Sequence, residues 1–337
     1  MLNKAQVSDC WINHLISWPY LLITITYFLT WHLLFEAATL FEVAPAVSAW
    51  FPAAGLRFAL IVVLGWRLSV PILVFVWASL APGYWDFWMS RFPFGFIVES
   101  FGNPIVHLIA VTFLVKVAKV NLRRGSLRDI SWFCVGALIA PMISAIIVCS
   151  NLAAASIFEW KDVPSIILDF WVGDVIGILV ITPFLVLLAG SIASKYHHKL
   201  FTNQSIEPTA CDIDKISLPT AAWLTIFVVF GIVLLVLGFG KLPVPDYVKH
   251  YVFLSFLPLS WIAIRFGFYA LAISVFAMNT FSIIFIHFTG FTSNHAEFQF
   301  FLVTLSLTSL VICGLATNQR RAEKKNKRYT RTVSALG

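Results

Sequence analysis

The sequence predicts an all-α, polytopic transmembrane helical bundle of about ten spans (eight to ten) with both termini cytoplasmic. Three observations carry that expectation. Hydrophobic residues fill 60% of the 337 positions against 12% charged, and mean hydropathy is +0.88; a water-soluble domain could not hide so much apolar surface. Apolar runs of about 20 residues, the length that crosses a bilayer, recur along the chain. Lysine and arginine fall unevenly between the connecting loops, as they do in proteins that cross the membrane many times.

Taken in order, residues 1–16 form a cytoplasmic segment carrying Lys4 and Asp9. No small-residue cleavage site follows the first apolar run, so that run is expected to be an uncleaved span. The membrane domain covers 17–318, with spans at roughly 17–41, 47–66, 68–89, 93–117, 130–155, 164–190, 217–239, 250–265, 267–288 and 297–317. The run at 250–265 is short and holds Pro258, which keeps lower span counts open. With the N-terminus inside, Lys4, Arg67, Lys116, Lys119, Arg123, Arg124, Arg128, Lys195, Lys199, Lys215, Arg265 and seven tail residues collect on the cytoplasmic side. Arg91, Lys161, Lys241 and Lys249 fall outside, and Arg57 lies within the membrane.

The loop at 121–130 is short and basic and suits anionic lipid headgroups. The loop at 191–217 is polar and divides the spans into six plus four. Its His197, His198 and Cys211 lack further ligands in register, and the five cysteines (Cys10, Cys134, Cys149, Cys211, Cys313) lie far apart without a CxxC pair. Neither a metal site, a cofactor nor a disulfide framework is expected. Residues 319–337 are basic and helix-permissive, the start of a linker leaving the membrane. There is no HExxH, GxSxG, P-loop or dinucleotide fingerprint, so no enzymatic activity is expected, and no soluble module suited to nucleic acid is present. A faint internal echo links Phe51-Pro52 and Gly65-Trp66-Arg67 with Leu257-Pro258 and Arg265-Phe266-Gly267.

Arg57 lies about halfway along an apolar run. A charge at that depth costs roughly 2.5–3.5 kcal/mol on insertion scales, so it should face the protein and have a partner. His32 and Glu36 share a face of the first span, Glu99, Asn103 and His107 step down the fourth, and Asp169 and Asp174 lie on the sixth, about 140° apart. All enter from the outer side and approach the depth of Arg57, which outlines a polar cavity. Two readings stand at this point: Arg57 pairs with Asp174 or Glu99 as helix-packing glue, or it floors a ligand pocket. Gly173 and Gly177, four residues apart, are expected to permit close helix contact. Trp85, Trp88, Trp160 and Trp171 read as interface aromatics.

Trp50-Phe51-Pro52-Ala53-Ala54-Gly55-Leu56, with Gly65-Trp66-Arg67 and Pro71 after it, resembles the opening signature of the MASE1 membrane-associated sensor family. Phe170-Trp171-Val172-Gly173-Asp174-Val175-Ile176-Gly177 with Thr182-Pro183 is similar to that family's central segment. Leu257-Pro258-Leu259-Ser260-Trp261 with Arg265-Phe266-Gly267 is similar to its late segment, and the likeness covers 17–318. The resemblance implies a bacterial inner-membrane sensory module, usually joined to a cytoplasmic output that is a histidine kinase or a cyclic di-GMP module. From the residues, a small periplasmic or membrane-soluble ligand is expected in the cavity near Arg57, Glu99 and Asp174, with the bilayer, the output and a second copy of the chain as partners. The alternative from the residues themselves is a secondary transporter, proton-coupled through the same acids and histidines.

Overall fold

The computed structural model describes residues 15, 17–45, 47–196, 218–290 and 295–334. The expectations placed on 1–14 and on His197, His198 and Cys211 lie outside the described residues. Helix is the dominant element, and among the described residues eight helices are long and apolar enough to cross a membrane, or nine if one bent pair counts as a single span. The chain falls into two compact units, Met1–Lys119 with Val135–Glu207, and Val120–Cys134 with Pro208–Gly337.

The first unit opens with α1 (Trp18–Thr39), which has Pro19 in its first turn, a position where the missing N–H costs nothing. A small antiparallel hairpin follows, β1 (Glu42–Ala44) against β2 (Val47–Ser48), with Glu42 opposite Ser48 and Ala44 opposite Val47. Ser48 Oγ donates to Ala38 O at 2.7 Å and so ties the hairpin back onto the end of α1. Then comes α2 (Pro52–Leu64), 13 residues of which all but Val63 are buried.

The expected span at 47–66 is therefore a strand followed by a helix about 20 Å long, too short to cross a hydrocarbon core of about 30 Å by itself. A hydropathy window cannot distinguish a short helix buried in protein from a span in lipid. Gly65 ends α2 with φ 74° and ψ 167° and also caps the next helix, a conformation that glycine adopts without a steric penalty.

After this turn comes α3 (Trp66–Arg91). It bends by 79° between Trp66–Leu80 and Trp85–Arg91, around Pro82, whose ring breaks the helical ladder. The expected single span at 68–89 is thus a bent pair. Two more long elements follow, α4 (Pro93–Thr112) running on through a π-helical turn at Phe113–Val117, and α5 (Leu127–Ala154). The last, α6 (Val163–Tyr196), has an unbroken buried run from Val172 to Pro183.

The second unit contains the opening of α5, then α7 (Leu218–Phe239), the short α8 (Asp246–Lys249), a 3₁₀ turn (His250–Ser255) and α9 (Phe256–Arg265). Gly267 (φ 88°, ψ −171°) turns the chain into α10 (Phe268–Thr289). The amides of Ser69 and Leu271 donate to the carbonyls of Gly65 and Gly267 respectively, so both arginine-bearing turns of the sequence echo share one backbone shape. The 40-residue α11 (His295–Ser334) packs Phe298, Leu302, Leu305, Leu310 and Cys313 inward. Along 321–332 every residue of α11 is exposed.

Candidate functional site

Arg57 is carried on a helix with almost no lipid-facing side, and its own exposure is 6%. Small residues make that burial possible. A Cβ on Gly55 would collide with the Gly177 carbonyl of α6, and one on Gly177 would collide with the Phe51 carbonyl just before α2. Gly173 meets the Ser48 carbonyl in the same way. The Phe51 amide donates to Gly173 O at 3.2 Å and Thr182 Oγ1 donates to Gly55 O at 3.1 Å. The two glycines thus bracket Asp174 on the helix that packs directly against α2.

The Arg57 guanidinium donates through Nη1 to Asn103 Oδ1 of α4 at 2.6 Å, a buried and charge-assisted bond. His107 lies one turn further along α4, fully buried, with its ring edge-on to Phe58 at 5.7 Å between centroids. Asp174 is 1% exposed. Both His107 and Asp174 are within electrostatic reach of Arg57, yet Arg57 and Asp174 form no ion pair among the described residues. A third neighbour, Tyr27 of α1, is buried with its hydroxyl within reach of the Arg57 guanidinium but outside the geometry of a well-formed hydrogen bond.

Four elements thus bring a cation, a carboxyl group, an imidazole, a phenol and an amide together. Both ring nitrogens of His107, Oδ2 of Asp174 and the Tyr27 hydroxyl have no hydrogen-bond partner among the described residues. Buried groups of this kind favour a polar partner, and among the described residues these four face no other protein group that satisfies them. The arrangement suits recognition of a small polar molecule offering both donors and acceptors.

Other expected members stand elsewhere. Glu36 is exposed, and it lies about 180° round α1 from Tyr27. His32 is half-buried, donates from Nδ1 to Phe28 O at 3.0 Å, and has Nε2 3.4 Å from Ser79 Oγ. His32 thus belongs to a contact between α1 and α3. Asp169 is half-buried, about 140° round α6 from Asp174. The Glu99 side chain lies outside the described residues.

Sequence reasoning missed Tyr27. Its signal was a stripe, since Tyr20, Tyr27 and Trp31 are all buried on one side of α1. Trp88, expected at the interface, is 2% exposed and packs under Phe87 and Gly95, whereas Trp85 and Trp160 are exposed. Among the described residues no three His, Cys, Asp or Glu side chains gather as a metal site would require.

The MASE1 family model matches residues 19–321, nearly the whole chain. The chain belongs to the MASE1 family. MASE1 domains are membrane-associated sensory modules, input domains rather than catalytic ones, and the apolar helices make this one a multi-pass membrane protein. Neither the curated proteins nor the solved structures compared with the chain include a match. The three MASE1-like segments have distinct structural duties here: the first builds α2 and its glycine turn, the second supplies the Asp174 face of α6, and the third forms α9 and the Gly267 turn.

Proposed function

We propose that this MASE1 chain is the signal-input module of a bacterial inner-membrane sensor, and that Arg57, Asn103, His107, Asp174 and Tyr27 hold its ligand. The observation that carries this reading is a buried arginine bonded to a neutral amide while a carboxyl oxygen, two imidazole nitrogens and a phenol nearby lack partners. Glue would be expected to close such groups on one another. A small polar solute from the periplasmic side would close them instead, and would bias the protein only through unequal affinity for two conformations. The output is a cytoplasmic histidine kinase or cyclic di-GMP module reached through α11, with both termini of the membrane domain inside.

The test is a chimera of residues 1–334 with a cyclic di-GMP or kinase output, read by a reporter while periplasmic solutes are varied. Arg57→Gln and Asp174→Asn should abolish the response while membrane abundance stays at the parental level. Parental responses from both variants would refute the site. One observation favours transport as the second reading. The short α2 carries Arg57 and the bent α3 packs against it, an arrangement like the discontinuous helices of transporter midplanes. Concentrative uptake of a labelled solute into proteoliposomes, lost in Glu99→Gln, would favour that reading over sensing.

A further inference from the structure

A second charged feature lies wholly within the second unit, and the Arg57 cluster does not involve it. A 3₁₀ turn at Leu122–Arg124 closes on Gly125, whose φ of 58° puts it in the left-handed region. Gly125 packs against Phe268 at the start of α10, and Gly314 of α11 packs against Leu127 at the start of α5. The Leu127 amide donates to Asn318 Oδ1 at 3.4 Å, and Arg321 Nη2 donates to Arg124 O at 2.5 Å. Arg320 Nη1 faces Gly267, two residues after Arg265. Three separate stretches therefore place Arg124, Arg265, Arg320 and Arg321 round the point where α11 leaves its apolar packing, with Lys324 one turn on.

Charge balance at this collar is one-sided. Asp129 is 2% exposed and already accepts from Ser126 Oγ at 2.7 Å and from the Asn121 amide at 3.3 Å. Glu323 is exposed on α11. Among the described residues no carboxylate lies within 4 Å of Arg124, Arg265, Arg320, Arg321 or Lys324. Like charges gathered on adjoining turns repel one another unless an anion intervenes.

The surroundings identify the anion's carrier. Trp261 and Ile264, which precede Arg265, and Leu315, which precedes Arg320, are exposed apolar side chains on the membrane-length helices below the collar. Cations in line with exposed apolar flanks match a molecule with a phosphate head and acyl tails. We infer that the collar is a binding site for an anionic phospholipid headgroup, which bridges the 122–128 turn, the Arg265–Gly267 turn and the root of α11. A zwitterionic lipid offers the same tails without net charge, and free phosphate offers the charge without tails.

Native mass spectrometry of the full chain separates these cases, with phosphatidylglycerol, phosphatidylcholine or inorganic phosphate added to the detergent-solubilised protein. Phosphatidylglycerol should bind on the order of ten-fold more tightly than phosphatidylcholine, and raising the salt should weaken only the former. The double variant Arg124→Gln/Arg320→Gln should lose most of that preference. Arg124→Lys/Arg320→Lys should keep it, and so should Arg91→Gln/Lys161→Gln, which removes charge elsewhere. Equal binding of the two lipids, insensitivity to salt, a retained preference in the glutamine variant, or phosphate alone binding as tightly would each overturn the inference. If the glutamine variant does not fold, the salt dependence and lipid preference of the parent decide.

Discussion

Replacing Asn103 with leucine removes the acceptor of the Arg57 guanidinium and keeps the same branching and number of side-chain heavy atoms. Because Arg57 is only 6% exposed, water cannot take over the lost bond. A hydrogen bond to a charged group contributes about 1.5–3 kcal/mol, and stranding one partner in the interior lies at the upper end of that range or above it. The bond is short, 2.6 Å, so a loss of about 2–3 kcal/mol is expected, roughly 30- to 150-fold in the unfolding equilibrium.

The assay is reversible unfolding in mixed micelles, followed by circular dichroism as the mole fraction of denaturing detergent rises. Arg57→Met and the double variant Arg57→Met/Asn103→Leu complete a cycle. The double variant should sit within about 1 kcal/mol of the parent, since removing both polar partners leaves neither stranded. A cost below about 0.5 kcal/mol for Asn103→Leu, or a double variant as unstable as the sum of the two singles, would refute the reasoning. The first result would mean that Arg57 has other support, and the second that its burial has no dependence on Asn103.

Further outcomes can be checked in the same apparatus. Gly177→Ala should destabilise the protein by at least about 1–3 kcal/mol, the usual cost of overpacking, because the added methyl meets the rigid Phe51 carbonyl. Gly65→Ala should cost about 1–2 kcal/mol from its positive φ, with no change in lipid binding. Thr182→Val should lose about 0.5–1.5 kcal/mol with the hydrogen bond to Gly55 O. Glu36→Gln should leave stability and reporter response unchanged within error, since the side chain is exposed and lies across α1 from Tyr27.

Much of this fold was legible because a bilayer imposes a length on whatever crosses it. The helices at Leu127–Ala154, Val163–Tyr196 and Phe268–Thr289 begin and end within a few residues of the apolar runs, apart from an extension at the C-terminal end of α6. The same ruler misread 47–66, because a helix enclosed by protein is as apolar as one enclosed by lipid. The buried polar cluster was legible where charge is expensive: Arg57, Asp174 and His107 stood out as polar residues in apolar runs, and all three are buried, the last two within electrostatic reach of Arg57. His32 and Glu36 were grouped with them because a four-residue step shows that two side chains share a face without showing where that face points. Tyr27 escaped notice because a tyrosine in an apolar run raises no alarm until its hydroxyl is found buried beside a charge.

The shortness of α2 also bears on how the protein is made. At about 20 Å it cannot serve as a stop-transfer span, and the glycines that receive it, Gly173 and Gly177, are synthesised more than a hundred residues later. During biosynthesis the Arg57 segment therefore has no finished berth until α6 emerges. Truncated nascent chains ending before residue 163 should leave a cysteine placed at 57 open to water-soluble thiol reagents, and chains extended past 196 should protect it. Arg57 is in this sense a late tenant of the membrane, admitted by a helix that had not been translated when the arginine left the ribosome.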